Sequence, residues 1–316
     1  MLMLSAAILI VLLCSACSER PERPLRIGTN SWPGYEPLYL ARDRGFLDDQ
    51  VVHMVEYPSS SEVIRAIRNS AIDGASLTLD EVLMLAADGL APRIVLVMDI
   101  SHGGDAILGQ PGIANLASLA GKRVGVESNA LGAYVLSRAL ELIDLTTADI
   151  HISSLEVNEH ETAFINKQVD AVVTFEPVRS RLLNSGAVSL FDSSQIPGEI
   201  VDVLVVREDV AEQRQRSIRH LLESWFRALA FLQADPNAAA DSFAVRLKIT
   251  SPQVLDALQG LHFPSLAENR QLIGGQPAEL VQTGKRLMDV MRSHHLLPKD
   301  VDTETLFDAG PLNTLQ

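Results

Sequence analysis

Cysteine is almost absent: the 316 residues hold two, Cys14 and Cys17, both within the first 17 positions. The body of the chain therefore has no thiol for a disulfide, a thiolate metal site or a cysteine nucleophile. Basic runs are missing as well. Lys and Arg number 26 against 40 Asp and Glu, a formal charge of -14, and no stretch could neutralise a series of phosphates, which excludes nucleic acid as an expected partner. Aromatic residues make up only 5%. No G-x-S-x-G nucleophile turn occurs and no H-E-x-x-H zinc spacing. The Glu159-His160-Glu161 and His294-His295 clusters read as a solvated helix start or face, so neither a metal nor a cofactor is expected. What the chain does have is 47% apolar residues against 21% charged, enough for a sizeable core and too many for intrinsic disorder. Its length allows one large domain or two.

Residues 1–16, MLMLSAAILIVLLCSA, are uncharged, and charge begins abruptly at Glu19 and Arg20. A run of that length falls short of the roughly 20 residues a bilayer-spanning helix needs and reads as a cleaved export signal. Ser15 and Ala16 before Cys17 resemble the lipobox of bacterial lipoproteins. That resemblance implies that Cys17 is lipidated and becomes the new N-terminus. Residues 17–24, with two prolines and no large apolar side chain, read as a short extended tether to the membrane.

From Leu25 onward short β-branched runs alternate with longer helical patterns, the signature of α/β layers around a mainly parallel sheet. Strands are predicted at Leu25–Thr29, Val51–Tyr57, Gly74–Leu79 and Arg93–Asp99. A second series follows at Arg123–Glu127, Ile150–Leu155, Ala171–Phe175, Val188–Phe191 and Val201–Val206. Helices are predicted at Leu38–Arg44, Glu62–Ser70, Asp80–Asp88, Leu131–Ile143 and Glu161–Asn166. Capping boxes are read at Ser59/Glu62, Thr78/Glu81 and Asn158/Glu161. Each cap follows a strand, at the carboxyl edge where open α/β sheets bind ligands. After Arg207 the pattern is almost pure helix. One long amphipathic helix is predicted from Asp209 to before Pro236, with Trp225 on its core stripe, and further helices at 237–244, 252–261 and 278–293.

The segment IGTNSWPGYEPLYLARDRGFL (27–47) resembles the opening of the nitrate, sulfonate, taurine and thiamine-precursor class of ABC-importer solute-binding proteins. The resemblance continues through SSSEVIRAIRNSAIDGASLT (59–78), DISHGGDAILGQPGIANLASLAGKRVGVESNALGAYVL (99–136), VDAVVTFEP (169–177) and PGEIVDVLVVRED (197–209). It implies a type II periplasmic-binding-protein fold, two α/β lobes joined by a two-strand hinge with the ligand between them. The first lobe would comprise residues 24–104 plus 206–316 and the second 105–205, with crossings near 99–110 and 201–208. It also implies a small-molecule ligand, an ABC permease in the inner membrane as partner, a periplasmic, envelope-anchored location and a monomer.

The candidate ligand residues are Asn30, Trp32, Tyr35, Ser60, Ser61, Thr78, Asp80, Ser101, Asp105, Asn129, Glu176 and Asp202. Trp32 and Tyr35, in a Pro-Gly loop after the first strand, can stack on a flat ring or cover a cation. Ser60, Ser61 and Thr78, with helix N–H groups, could hold an anion such as a sulfonate or nitrate. Against an anion stand the carboxylates at strand ends and crossings, Asp80, Asp99, Asp105, Glu127, Glu176 and Asp202. Lys122 and Arg123 fall at the opposite end of their strand. Such a lining favours a cation or an amine-bearing heterocycle. The alternative for Glu127 and Glu176 is local capping or salt bridging, and for Asp99 and Asp202 a role in locking the hinge. Two rival functions remain at this level. One is an enzyme on the same fold, like the thiamine-pyrimidine synthases, although their cysteine-rich motif is missing. The other is a binding protein that feeds a membrane sensor.

Overall fold

Two sheets account for the eleven strands of the computed structural model, which describes residues 22–127, 130–275 and 278–316. Residues 1–16, Cys17 and Asn129 lie outside the described residues. The strands are β1 (Leu25–Thr29), β2 (Val52–Glu56), β3 (Gly74–Thr78), β4 (Pro92–Ser101), β5 (Asp105–Gly109), β6 (Arg123–Val126), β7 (His151–Ser154), β8 (Ala171–Phe175), β9 (Val188–Asp192), β10 (Val201–Arg207) and β11 (Leu261–His262). Those at the centre of each sheet are continuous buried runs, as strands covered on both faces must be.

The first sheet has the order β11-β4-β10-β3-β1-β2 and the second β7-β6-β8-β5-β9. In the first, β1 runs parallel to β2 and β3, while β10 is antiparallel to both β3 and β4. In the second, β6 is parallel to β7 and β8, while β5 is antiparallel to β8 and β9. The sheets are therefore mixed rather than mainly parallel. The reason is connectivity: β5 and β10 are the strands by which the chain enters the second sheet and re-enters the first, and each arrives against the local direction. The sequence assigned 99–110 to a crossing, yet β5 is a fully buried strand.

The chain leaves the first sheet after Ser101 and returns to it at Val201. The two crossing segments run side by side. The Ser101 and Ser193 hydroxyls are 2.8 Å apart, Gly103 N–H donates to Ser193 Oγ at 2.6 Å, and Ser101 N–H donates to the Ile200 carbonyl at 3.0 Å. β10 lies wholly in the first sheet, and the strands of the second fall within residues 105–192, with Ser193–Ile200 leading back.

The helices are α1 (Glu36–Asp43), α2 (Ser60–Arg68), α3 (Leu79–Ala87), α4 (Ala130–Glu141), α5 (Val157–Ile165), α6 (Val178–Asn184), α7 (Glu208–Gln213), α8 (Gln215–Ala234), α9 (Pro236–Leu247), α10 (Ser251–Gln259), α11 (Leu266–Gly274), α12 (Glu279–Ser293) and α13 (Gly310–Asn313). The single long helix expected from Asp209 is two, divided at Arg214. On α8 the residues Ile218, Leu221, Leu222, Trp225 and Leu229 are buried, each aliphatic one contributing about 1.5–3 kcal/mol. The third cap is also corrected: α5 begins two residues earlier than Asn158 would require, so Asn158 is exposed inside the helix and Glu159 accepts from the Glu156 N–H at 2.9 Å.

Candidate ligand-binding site

The carboxyl ends of β1 and β3 and the start of β10 converge on the space between the lobes. After β1 the chain turns through SWPGY, where Pro33–Tyr35 form a single 3-10 turn with Pro at its start. Gly34 is required there by close approach: a Cβ would lie 1.8 Å from Asp99 Oδ2 and 2.4 Å from Trp32 Nε1. This closeness lets the Trp32 indole N–H reach both Asp99 oxygens, at 3.2 and 3.4 Å, while the Tyr35 hydroxyl donates to Asp202 at 2.5 Å. Asp99 and Asp202 are register partners across β4 and β10. The aromatic loop thus feeds two donors into a facing pair of buried carboxyl groups. The Trp32 ring also meets Phe175 of the second lobe edge to face, with centroids 5.7 Å apart and planes at 83°.

Two helix N-termini complete the wall on the first lobe. Ser59 caps α2 by accepting from Glu62 N–H at 3.3 Å, and Asn30 donates to Ser60 Oγ at 3.0 Å. Ser61, one residue on, gives both its N–H (3.0 Å) and its hydroxyl (2.7 Å) to Glu127 Oε1, which arrives from the end of β6 in the other lobe. A carboxylate near a first-turn N–H is favoured by the helix dipole, by about 0.3–1 kcal/mol and more where partly buried. At α3, Glu81 accepts from Thr78 N–H at 3.0 Å, whereas the Thr78 hydroxyl has no hydrogen-bond partner among the described residues.

Burial dominates the ionisation of this cluster. It pushes the Asp105 carboxyl up to about 7 and Asp80 to about 6. It raises Asp99, Asp202 and Glu81 well above the usual carboxylate range, with the mutual repulsion of Asp99 and Asp202 adding to the rise of Asp202 and that of Asp80 to the rise of Glu81. His160, on α5, moves the other way. Burial lowers it to about 4, so its ring is neutral, with Nδ1 3.1 Å from Thr174 Oγ1 and Nε2 without a partner among the described residues.

Two small adjoining hollows lie between the lobes, each with about 10 Å³ open to the centre of a water molecule. One is bounded by Asn30, Trp32, Tyr35, Ser60, Thr78, Asp105, Leu131, Phe175 and Asp202. The other shares Ser60, Asp105, Leu131 and Phe175 and extends into the second lobe past Glu127, His160 and Thr174. Seven of the twelve candidate ligand residues therefore meet around one space, with Glu127 beside them. Ser61 stands behind it on Glu127, and Asp80 is buried at the start of α3 without bordering either hollow. Ser101 belongs to the crossing. Glu176 accepts from Arg179 and from both donors of Ser180, so its carboxylate serves the start of α6. His160, read from sequence as part of a solvated helix start, is buried. Its neighbours Glu159 and Glu161 are the solvent-facing members of that trio, and a single His at an apolar helical position, against Phe164 and Val157, was the available signal.

Residues 18–247 match the model of the NMT1-like family. A binding protein named as such in Brucella abortus is 25% identical over 171 residues, 53% of each chain, so the match spans about half the length of that relative. A protein of Escherichia coli named for binding aliphatic sulfonates is 22% identical over 94% of this chain and 92% of its own. Among solved structures, the alkanesulfonate-binding protein SsuA from Xanthomonas axonopodis pv. citri, bound to MOPS, superposes with a TM-score of 0.78 at 19% identity, covering 92% of this chain and 99% of that one. The periplasmic nitrate-binding protein NrtA from Synechocystis gives a TM-score of 0.73 at 13% identity, over 93% and 89%. These likenesses establish the periplasmic-binding-protein fold.

Proposed function

The chain belongs to the NMT1-like family, and on that premise we propose that it is the solute-binding component of an ABC importer, holding a cationic or amine-bearing small molecule between its lobes. The observation that carries the ligand's charge is the lining of the two hollows. None of the described residues that bound them is Lys or Arg, whereas Asp105, Glu127 and Asp202 all border them. A cation entering the cleft favours the ionised form of these buried acids, which then accept from N–H donors and repel anions. The sulfonate and nitrate relatives support the importer class, and the acidic lining supports a ligand of the opposite charge. An amine-bearing heterocycle fits the aromatic loop best, its ring against Trp32 and Tyr35 and its N–H groups toward Asp105 and Thr78.

Closure is part of the reading. With so little free volume between the lobes, a ligand of several heavy atoms enters when they part and is enclosed when they meet. A membrane permease then reads the closed outer surface. We place the protein in the periplasm, exported by residues 1–16, tethered as a monomer through a lipid on Cys17, and without a catalytic step of its own; the relatives named as binding proteins support that assignment over an enzyme.

A thermal-shift and calorimetric screen tests the proposal. 4-Aminopyrimidine, benzamidine and small diamines stand against methanesulfonate, nitrate and taurine. A ligand at 100 times its dissociation constant stabilises by about 2.7 kcal/mol. A melting shift confined to the anions would overturn the charge assignment.

A further inference from the structure

The reading of the cleft as one that selects positive charge leaves open which residue does the selecting. We propose that Glu127 sets the charge selectivity by seating its own carboxylate on the first turn of α2, occupying the place that an anionic group of a ligand would take. Three observations support this assignment.

The contact is built as an anion contact. Ser61 offers two donors, N–H and Oγ, and both go to the same oxygen of Glu127 at 3.0 and 2.7 Å. Backbone N–H groups at a helix start and a neighbouring hydroxyl are the donors that hold sulfate, phosphate or carboxylate groups elsewhere. Arg65, one turn farther along α2, pairs with Glu62 and with Glu156 of the second lobe and is not among the described residues that border the hollows.

Glu127 borders a ligand space, with Ser61 directly behind it. Glu127 and Ser60 border the same hollow as Asp105 and His160, and Asp105 Oδ2 and His160 Nε2, in side chains more than nine-tenths buried, have no hydrogen-bond partner among the described residues. Polar atoms so buried are normally paired, and these two are positioned for a ligand.

The contact joins the lobes. Ser61 belongs to the first and Glu127 to the second, so the carboxylate reaches α2 as the cleft closes and blocks an anion at that moment. A sulfonate arriving at the first turn of α2 would have to displace Glu127 and then lie beside it and Asp105, with no Lys or Arg among the described residues of the lining. Like charges so placed are strongly disfavoured.

Calorimetry with methanesulfonate and 4-aminopyrimidine as probes, on the wild type and variants, tests the inference. The wild type is expected to give no heat with methanesulfonate at millimolar concentration. Glu127→Ala should gain affinity for it by about ten-fold or more over that limit, and Ser61→Ala added to that variant should reduce the gain, since it takes away the hydroxyl and leaves the backbone N–H. Glu127→Gln keeps the size and an acceptor for Ser61 while losing the charge, and decides the matter if Glu127→Ala does not melt cooperatively. Folded variants that stay blind to methanesulfonate overturn the role of Glu127 and leave the cation reading intact, as does a gain that Ser61→Ala leaves undiminished. Wild-type protein that binds methanesulfonate overturns both.

Discussion

Asp105 combines a buried carboxyl, an oxygen without a hydrogen-bond partner among the described residues and a position bordering both hollows. Its pKa in the folded protein, pushed by burial to about 7, lies above the ordinary carboxylate value. A carboxyl raised in this way contributes its stability at acid pH and loses it as pH rises from about 4 through the folded pKa. The free protein is therefore expected to become less stable between pH 4 and 7, with Asp99 and Asp202, raised for the same reason, extending the loss upward. His160 has the opposite sign: its stability contribution is present above about 6.5 and declines toward pH 4. Asp105→Asn should flatten the loss between pH 4 and 7, which denaturant titrations at a series of pH values would detect. A cationic ligand favours the ionised carboxyl, so its affinity should rise from pH 5 to 8 with release of a proton, read as a buffer-dependent binding enthalpy. Asp105→Asn should weaken that ligand by about 1.5–3 kcal/mol. An affinity unaffected by the substitution would remove Asp105 from the site. Sequence reached Asp105, Trp32 and Tyr35 through their positions at strand ends and in a glycine turn. For Glu176 it left a ligand role and local capping both open, and the carboxylate pairs with Ser180 and Arg179; a carboxylate that caps the next helix and one that faces a cleft have the same local sequence.

At the level of elements, the exposed side of β4 shows how a helix finishes a sheet. Between the pairing of β11 with Ile100 and Ser101 and the bridge of Ile94 to Phe307, the edge of β4 has no strand partner among the described residues, and Asn269 on α11 covers it. Its Oδ1 accepts from Val97 N–H at 2.7 Å and its Nδ2 donates to the Val97 carbonyl at 3.1 Å, the two bonds a neighbouring strand would make. Removing the side chain leaves a buried N–H and C=O unpaired, at roughly 1–3 kcal/mol each where water does not enter. Asn269→Ala should therefore lower the midpoint of chemical denaturation by more than a surface alanine does, without altering ligand stoichiometry. A change of under about 0.5 kcal/mol, the range of neutral surface substitutions, would refute that role. The elements were legible where their period was long and their ends capped, as at α2 and α3. They were missed where tertiary pairing alone decided, as at β5, whose five residues are too few to declare a period, and at α11, whose weakly apolar stripe owes its place to Asn269.

For the whole molecule, two lobes connected by two adjacent segments make closure a single degree of freedom. The resemblance to binding proteins foretold the lobes and the hinge, but the closed contacts depend on residues about 65–145 positions apart in sequence, Ser61 with Glu127 and Trp32 with Phe175, which no local pattern encodes. An aromatic pair of that geometry contributes about 0.5–1.5 kcal/mol beyond its buried area. Phe175→Ala should then shift the ligand-free population toward parted lobes, seen by small-angle scattering as a radius of gyration above the roughly 19 Å expected for a compact chain of this length. Scattering curves that superpose for wild type and variant would show that the pair does not hold the lobes together. The same pair has a practical side. The chain has only two tryptophans. Trp225 is sealed in the core of the first lobe and Trp32 touches the opposite one, so the indole spectrum contains a constant reference and a single moving signal. Ligand capture could be followed by emission alone, with no dye attached.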